Sequence, residues 1–110
     1  MPKANPDINL SITFRHTDST EAIKKYVSDK ILPCVQKFSS GNVDVRVVLS
    51  VTKLDHSVEA HLHNKNFEIS AKAVTEDLYS AVDKVVDNLD SQLRKHKEKI
   101  SQHKQPTAAV

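Results

Sequence analysis

Two hydrophobic periods occur in this chain in a fixed order, and together they restrict its fold more than any other feature. Val43, Val45, Val47, Leu49 and Val51 recur at every second position, whereas from Leu78 onward apolar residues recur every three or four positions. A period of two sends alternate side chains to opposite faces of a strand, and a period near 3.6 gathers them on one stripe of a helix. A chain that uses both needs a sheet with one apolar face and helices to cover it.

The remaining segments extend this reading. Ile8, Leu10, Ile12 and Phe14 alternate with Asn9, Ser11, Thr13 and Arg15, which predicts a first strand. Asp18 and Glu21 have capping-box spacing, so a helix is expected to start there with Ile23, Tyr26, Val27, Ile31, Cys34 and Phe38 on its apolar face. Pro33 falls inside that pattern. Proline removes a helical hydrogen bond and crowds the carbonyl four residues back, so a kink or a restart is expected. Ser39–Asn42, with the only glycine of the sequence at Gly41, reads as a turn.

A turn over Leu54–Ser57 is expected to lead to a third strand (Val58, Ala60, Leu62). A tight hairpin at Asn64, Lys65 and Asn66 then leads to a fourth strand (Phe67, Ile69, Ala71, Ala73). Thr75 is the expected N-cap of the last helix, with Glu76 and Asp77 in its first turn, where the helix dipole favours negative charge. Leu78, Val82, Val85, Val86, Leu89, Leu93 and Ile100 share about a quarter of its circumference, and it is expected to reach His103. The order β-α-β-β-β-α predicts an α+β domain, a four-stranded sheet containing an antiparallel meander, with two helices packed on one face. Residues 1–7 read as a flexible leader, 8–104 as the domain and 105–110 as a disordered tail.

A length of 110 residues suits one hydrophobic core. No apolar run approaches the roughly 20 residues that cross a bilayer, and Met1–Asp7 offers no signal-peptide core. Cys34 is the single cysteine, which suits a reducing compartment. The expected location is therefore the cytoplasm, with no membrane partner. The net charge of +2 conceals an uneven distribution: Arg94, Lys95, Lys97, Lys99 and Lys104 against Glu98 give the segment 94–104 a charge of +4, leaving −2 for the rest. A near-neutral body with one cationic end is suited to meeting a polyanion.

Catalysis finds little support. One glycine cannot build a glycine-rich phosphate loop, and neither G-x-S-x-G nor H-E-x-x-H occurs. His61 and His63 point to the same side of a strand, but no Cys or carboxylate pattern completes a metal set. Cys34, on an apolar helix face, reads as a packed thiol. The expectation is a binding protein with no catalytic residues, metal, cofactor or small-molecule substrate.

The run Glu76-Asp77-Leu78-Tyr79-Ser80-Ala81-Val82-Asp83 and the later Gln92-Leu93-Arg94-Lys95-His96-Lys97 resemble the ribosome hibernation promoting factor and ribosome-associated inhibitor family, also called the sigma-54 modulation protein family. Thr20-Glu21-Ala22-Ile23 with Tyr26-Val27 and Lys30-Ile31 is similar to the family's first helix, and Ala60-His61-Leu62-His63 to its third strand. The resemblance covers residues 8–104 and implies a double-stranded-RNA-binding-like fold. It further implies binding to 16S rRNA in the decoding region of the small (30S) ribosomal subunit, where the protein would block messenger and transfer RNA in stationary phase or stress. A short form, without the C-terminal dimerisation domain of long members, is expected, compatible with either promoting or blocking ribosome pairing. Two other readings stay open: a general double-stranded-RNA-binding module, and a protein-binding modulator of sigma-54-dependent transcription.

On a helical wheel Lys84, Asn88, Ser91, Lys95 and Lys99 form one row beside the apolar face, an arrangement that can track a phosphate backbone. Taken alone, such a row reads more readily as a solvated helix face; the resemblance reverses that and favours RNA. The family usually carries basic residues where Asn88 and Ser91 stand, so two charges are missing from the row. Arg94, Lys95, Lys97 and Lys99 crowd the final turns, where they also complement the helix dipole. On the first helix Lys30 falls within the apolar arc, which fits snorkelling or a phosphate contact, and Lys24 is more open. The expected RNA-binding set is thus Lys24, Lys30, Lys84, Arg94, Lys95, Lys97 and Lys99. Tyr79 reads as packing at the helix start rather than as stacking on a base.

Overall fold

The computed structural model describes residues 8–38, 42–65 and 67–104, with side chains described as far as Lys97. The expected leader, tail and Gly41 turn lie outside the described residues. Six elements appear in the expected order: β1 (Ile8–Arg15), α1 (Glu21–Phe38), β2 (Val43–Thr52), β3 (Asp55–His63), β4 (Glu68–Thr75) and α2 (Leu78–Lys104). The strands lie side by side in chain order, β1 parallel to β2 and the remaining pairs antiparallel. Parallel neighbours need a crossover, and α1 supplies it. α2 packs along β4 and β3 and against α1.

Register carries the alternation across the whole sheet. Leu10 pairs with Val45, Val45 with Leu62, and Leu62 with Ile69, so apolar residues of all four strands share one face. Val47, Leu49, Val58, Ala60 and Leu62 are fully buried there against Val27, Ile31 and Val35 of α1 and Ala81, Val82, Val85 and Leu89 of α2. Val35 and Ala81 complete helix stripes that periodicity had drawn without them. On the opposite face Ser11, Arg46, His61 and Ser70 form a polar row that neither α1 nor α2 covers.

Several local features differ from the sequence expectation. The N-cap of α1 is Thr20, not Asp18: Thr20 Oγ1 accepts the Ile23 N–H at 3.2 Å, the third helical amide, which Asp18 stands too early to reach. The N-cap of α2 is Asp77, not Thr75. Its Oδ1 accepts the Ser80 N–H at 2.9 Å and its Oδ2 the Ser80 hydroxyl at 2.8 Å. Thr75 instead ends β4, and its Oγ1 accepts the Asp77 N–H at 3.2 Å. Glu76 and Asp77 therefore precede the helix, whose first turn holds no acid.

The β2–β3 turn is Lys53–Leu54, since Thr52 already pairs with Asp55, and His56 and Ser57 belong to β3. Lys53 adopts a φ of 57°, a left-handed conformation that two-residue hairpins require and that glycine or asparagine usually signals. The loop between β3 and β4 is closed by Asn64, whose N–H donates to the Phe67 carbonyl and whose Oδ1 accepts the Phe67 N–H, both at 3.0 Å. Phe67 thus ends the loop, and β4 starts at Glu68. α1 passes through Pro33 as one helix rather than restarting. Both Pro33 and Asp29, whose carbonyl loses its partner, are exposed, so water can satisfy that carbonyl.

Candidate nucleic-acid interface

α2 has 27 residues and is about 40 Å long at 1.5 Å per residue. Burial of Ala81, Val82, Val85, Leu89 and Leu93 fixes which side meets the sheet and leaves two flanks. One flank leans over β4, where Gln92 Nε2 donates to the Ser70 carbonyl at 2.7 Å and to Asn88 Oδ1 at 2.8 Å. Lys84 and Lys95, four residues before and seven after Asn88, share this flank, and both are exposed, as is Ser91. Neither lysine forms an ion pair with a described residue. The expected row is therefore present as far as Lys95, with a neutral middle in which Asn88 is engaged by Gln92.

The other flank faces α1 and is acidic. Asp83 accepts a hydrogen bond from the Tyr26 hydroxyl at 2.6 Å. Asp90 takes Lys37 Nζ at 3.3 Å on one oxygen and Arg94 at 2.6 Å on the other, which ties α1 to α2 and balances part of the Arg94 charge. Lys97 lies about 200° around the helix from Lys95. The basic cluster of the final turns is thus divided between the flanks. Lys97 is exposed and unpaired among the described residues; Lys99 lies in α2 beyond the described side chains.

On α1, Lys30 is exposed and does not lie in the buried stripe, which consists of Ile23, Val27, Ile31, Cys34 and Val35. Its ammonium sits 5.4 Å from the centroid of the Tyr26 ring, a cation–π contact. Tyr26 meets Tyr79 edge-on at 4.8 Å, and Tyr79, though packed, remains 42% exposed. Lys24 is half-buried and 3.8 Å from Glu21. The hydrogen bond to Asp83 is the main reason that the Tyr26 phenol is held above the usual 10.0, with burial next. Burial pushes the Cys34 thiol up to about 11, and the side chain is a packed one.

Tyr26, Lys37, Asp83, Asp90 and Gln92 were not part of the expected site. Their bonds join elements far apart in the sequence, and only the helix-to-helix and helix-to-strand geometry brings them together. The histidines lead elsewhere: His96 packs edge-on against Phe67 at 5.4 Å, and His61 Nε2 lies 3.0 Å from Glu68 Oε2. Among the described residues no group of three His, Cys, Asp or Glu is placed to hold a metal ion. Nor is any helix among them long and apolar enough to cross a membrane. What the surface does offer is exposed ammonium groups on long stems along one helix, suited to phosphate oxygens.

Comparison with known proteins bears on the family and the fold. Residues 10–101 match the profile of the family described as sigma 54 modulation protein / S30EA ribosomal protein. The chain is 41% identical over 96 residues to the ribosome hibernation promoting factor of Escherichia coli (strain K12), covering 87% of this chain and 100% of that one. It is 39% identical over 92 residues to that of Azotobacter vinelandii, covering 84% and 85% respectively. The fold resembles the N-terminal domain of Thermus thermophilus Protein Y with a TM-score of 0.72 and 25% identity, covering 79% of this chain and 97% of that one. A ribosomal subunit interface protein from Coxiella burnetii gives 0.70 at 26% identity, covering 82% and 98%. By the length of the profile match, the identity to relatives along the domain and the shared β-α-β-β-β-α architecture, this chain belongs to the sigma 54 modulation protein / S30EA ribosomal protein family.

Proposed function

We propose that this protein is a cytoplasmic ribosome hibernation factor that binds the small ribosomal subunit on 16S rRNA in the decoding region. It acts by occupancy, excluding messenger and transfer RNA and idling ribosomes in stationary phase or stress. The observation that carries this reading is the 41% identity to a hibernation promoting factor across that protein's whole length. Lys84 and Lys95 on one flank of α2, Lys97 on the other and Lys30 on α1 are exposed cations available for the phosphate backbone. Lys99 extends the row in sequence. Arg94 and Lys24 join the set by exchanging Asp90 and Glu21 for phosphate oxygens. Contacts of this kind recognise the shape and charge of RNA rather than its sequence.

Cosedimentation with purified small subunits tests the reading. The protein is expected to pellet with the subunit at low salt and to be released progressively as salt rises, because each neutralised phosphate releases counterions. Protein that stays in the supernatant at every salt concentration overturns the assignment. An excess of random RNA duplex that strips the protein from the subunit favours a general duplex-binding module instead.

A further inference from the structure

Three large apolar side chains are exposed among the described residues, Leu54 at 83%, Val74 at 53% and Tyr79 at 42%, and all three stand at one end of the sheet. Register fixes which end. Thr52 pairs with Asp55 and His56 with Thr75 there, whereas Ile8 pairs with Val43 and His63 with Glu68 at the other. α2 starts from the first end at Leu78, and by His96 it has reached Phe67 at the second. The cationic turns of α2 thus lie away from the three exposed side chains.

Leu54 is the second residue of the two-residue β2–β3 turn, where asparagine, aspartate and glycine are usual and packing asks for no leucine. A single exposed apolar residue is ordinary, but neighbouring ones rimmed by polar groups mark interaction sites. Leu54 and Val74 are neighbours of this kind. With Asp55, His56, Thr75 and Glu76 they line one depression of about 700 Å³. Asp55 and Glu76 are exposed, and neither forms a hydrogen bond or ion pair with a described residue. The lining holds no lysine or arginine. Of the nearest lysines, Lys53 belongs to the turn and Lys72 stands opposite Glu59.

We propose that this depression docks a short segment of another protein in which an aliphatic side chain lies beside lysine or arginine. The aliphatic group sits between Leu54 and Val74, and the cation meets Asp55 and Glu76. Charge complementarity selects this occupant: two carboxylates with no partner in the fold attract a cationic segment and repel both a phosphate backbone and an acidic peptide. Exposed ion pairs contribute little affinity, so the apolar contact supplies most of the binding and the carboxylates supply the choice of partner. The contact is small, which places it among weak, transient interfaces. It shares no residue with the cations assigned to RNA and does not depend on the ribosomal reading.

Titration of the isotope-labelled full chain with the peptide acetyl-Lys-Leu-Arg-Leu-Lys-amide, followed by NMR, tests the proposal. Saturable shifts are expected at the amides of residues 53–56 and 74–77. Leu54→Ser and Glu76→Lys change exposed positions and are each expected to weaken binding at least about tenfold, with the melting temperature little altered. A second peptide, acetyl-Lys-Ser-Arg-Ser-Lys-amide, keeps the charge without the leucines and is expected to bind at least about tenfold more weakly than the first. No saturable shift in the wild type, shifts centred on other residues, undiminished binding in L54S, or equal binding of the two peptides each overturns the proposal. A short RNA oligomer that shifts these same amides makes the depression an RNA contact and overturns it as well.

Discussion

The Tyr26 hydroxyl donates a 2.6 Å hydrogen bond to Asp83 Oδ1, bridging 57 positions of sequence to fasten α1 to α2. That bond, ahead of burial and neighbouring negative charge, holds the phenol above 10.0. A group whose pKa is raised by folding stabilises the fold below its unfolded value and loses that contribution as pH rises through its folded value. Thermal stability is therefore expected to fall as pH climbs past 10.0. Asp83→Ala should shift tyrosinate absorbance to lower pH and flatten this alkaline loss; a titration unchanged by the substitution would remove the coupling.

Asp77 gives the opposite sign. The Ser80 N–H and hydroxyl bind its carboxylate and hold it below the usual 3.8, so its contribution is present at neutral pH and is lost as pH falls through the lowered value. Asp77→Ala is expected to lower the Tm by a few degrees at neutral pH, and Asp77→Ser, which keeps a capping oxygen, by less. The gap between wild type and Asp77→Ala should close in acid, as melts on a descending pH series will show.

The architecture was legible because alternation and helical periodicity are local signals, and here every strand and both helices obey them. What escaped was chemistry set by neighbours a few residues away or on another element. Lys53 takes a positive φ without the glycine that usually marks one. Thr20 and Asp77 cap their helices because the chain enters each helix at the next residue, while the motif spacing of Asp18 and Glu21 points two residues too early. For the candidate surface, the row of Lys84, Asn88, Ser91 and Lys95 could be drawn on a wheel. Its division from Lys97 and the capture of Arg94 by Asp90 depend on where α1 lies.

Stability and binding are expected to separate cleanly. Leu89 is fully buried between α2 and the sheet, so Leu89→Ala should cost about 2–5 kcal/mol in a denaturant titration. Lys95→Glu with Lys97→Glu changes only exposed positions and should leave the denaturation midpoint nearly unmoved while weakening subunit binding. Each lost phosphate contact should also reduce the salt slope by about one. A double variant that binds as the wild type does would exclude both lysines from the contact.

The neutral middle of the α2 row offers the sharpest test of its role. Ser91 is exposed, so Ser91→Arg adds a cation among Lys84 and Lys95 at little structural cost. If that row lies on phosphate, affinity for the small subunit should rise and the salt slope steepen by about one, the signature of one more neutralised phosphate. Asn88→Lys adds the same charge but gives up the 2.8 Å bond from Gln92, leaving Gln92 tied to Ser70 alone. Its gain is therefore expected to be smaller and accompanied by a slightly lower Tm. Binding measured across salt for both variants tells charge from geometry: equal slopes in wild type, Ser91→Arg and Asn88→Lys would mean that this flank of α2 does not touch RNA at all.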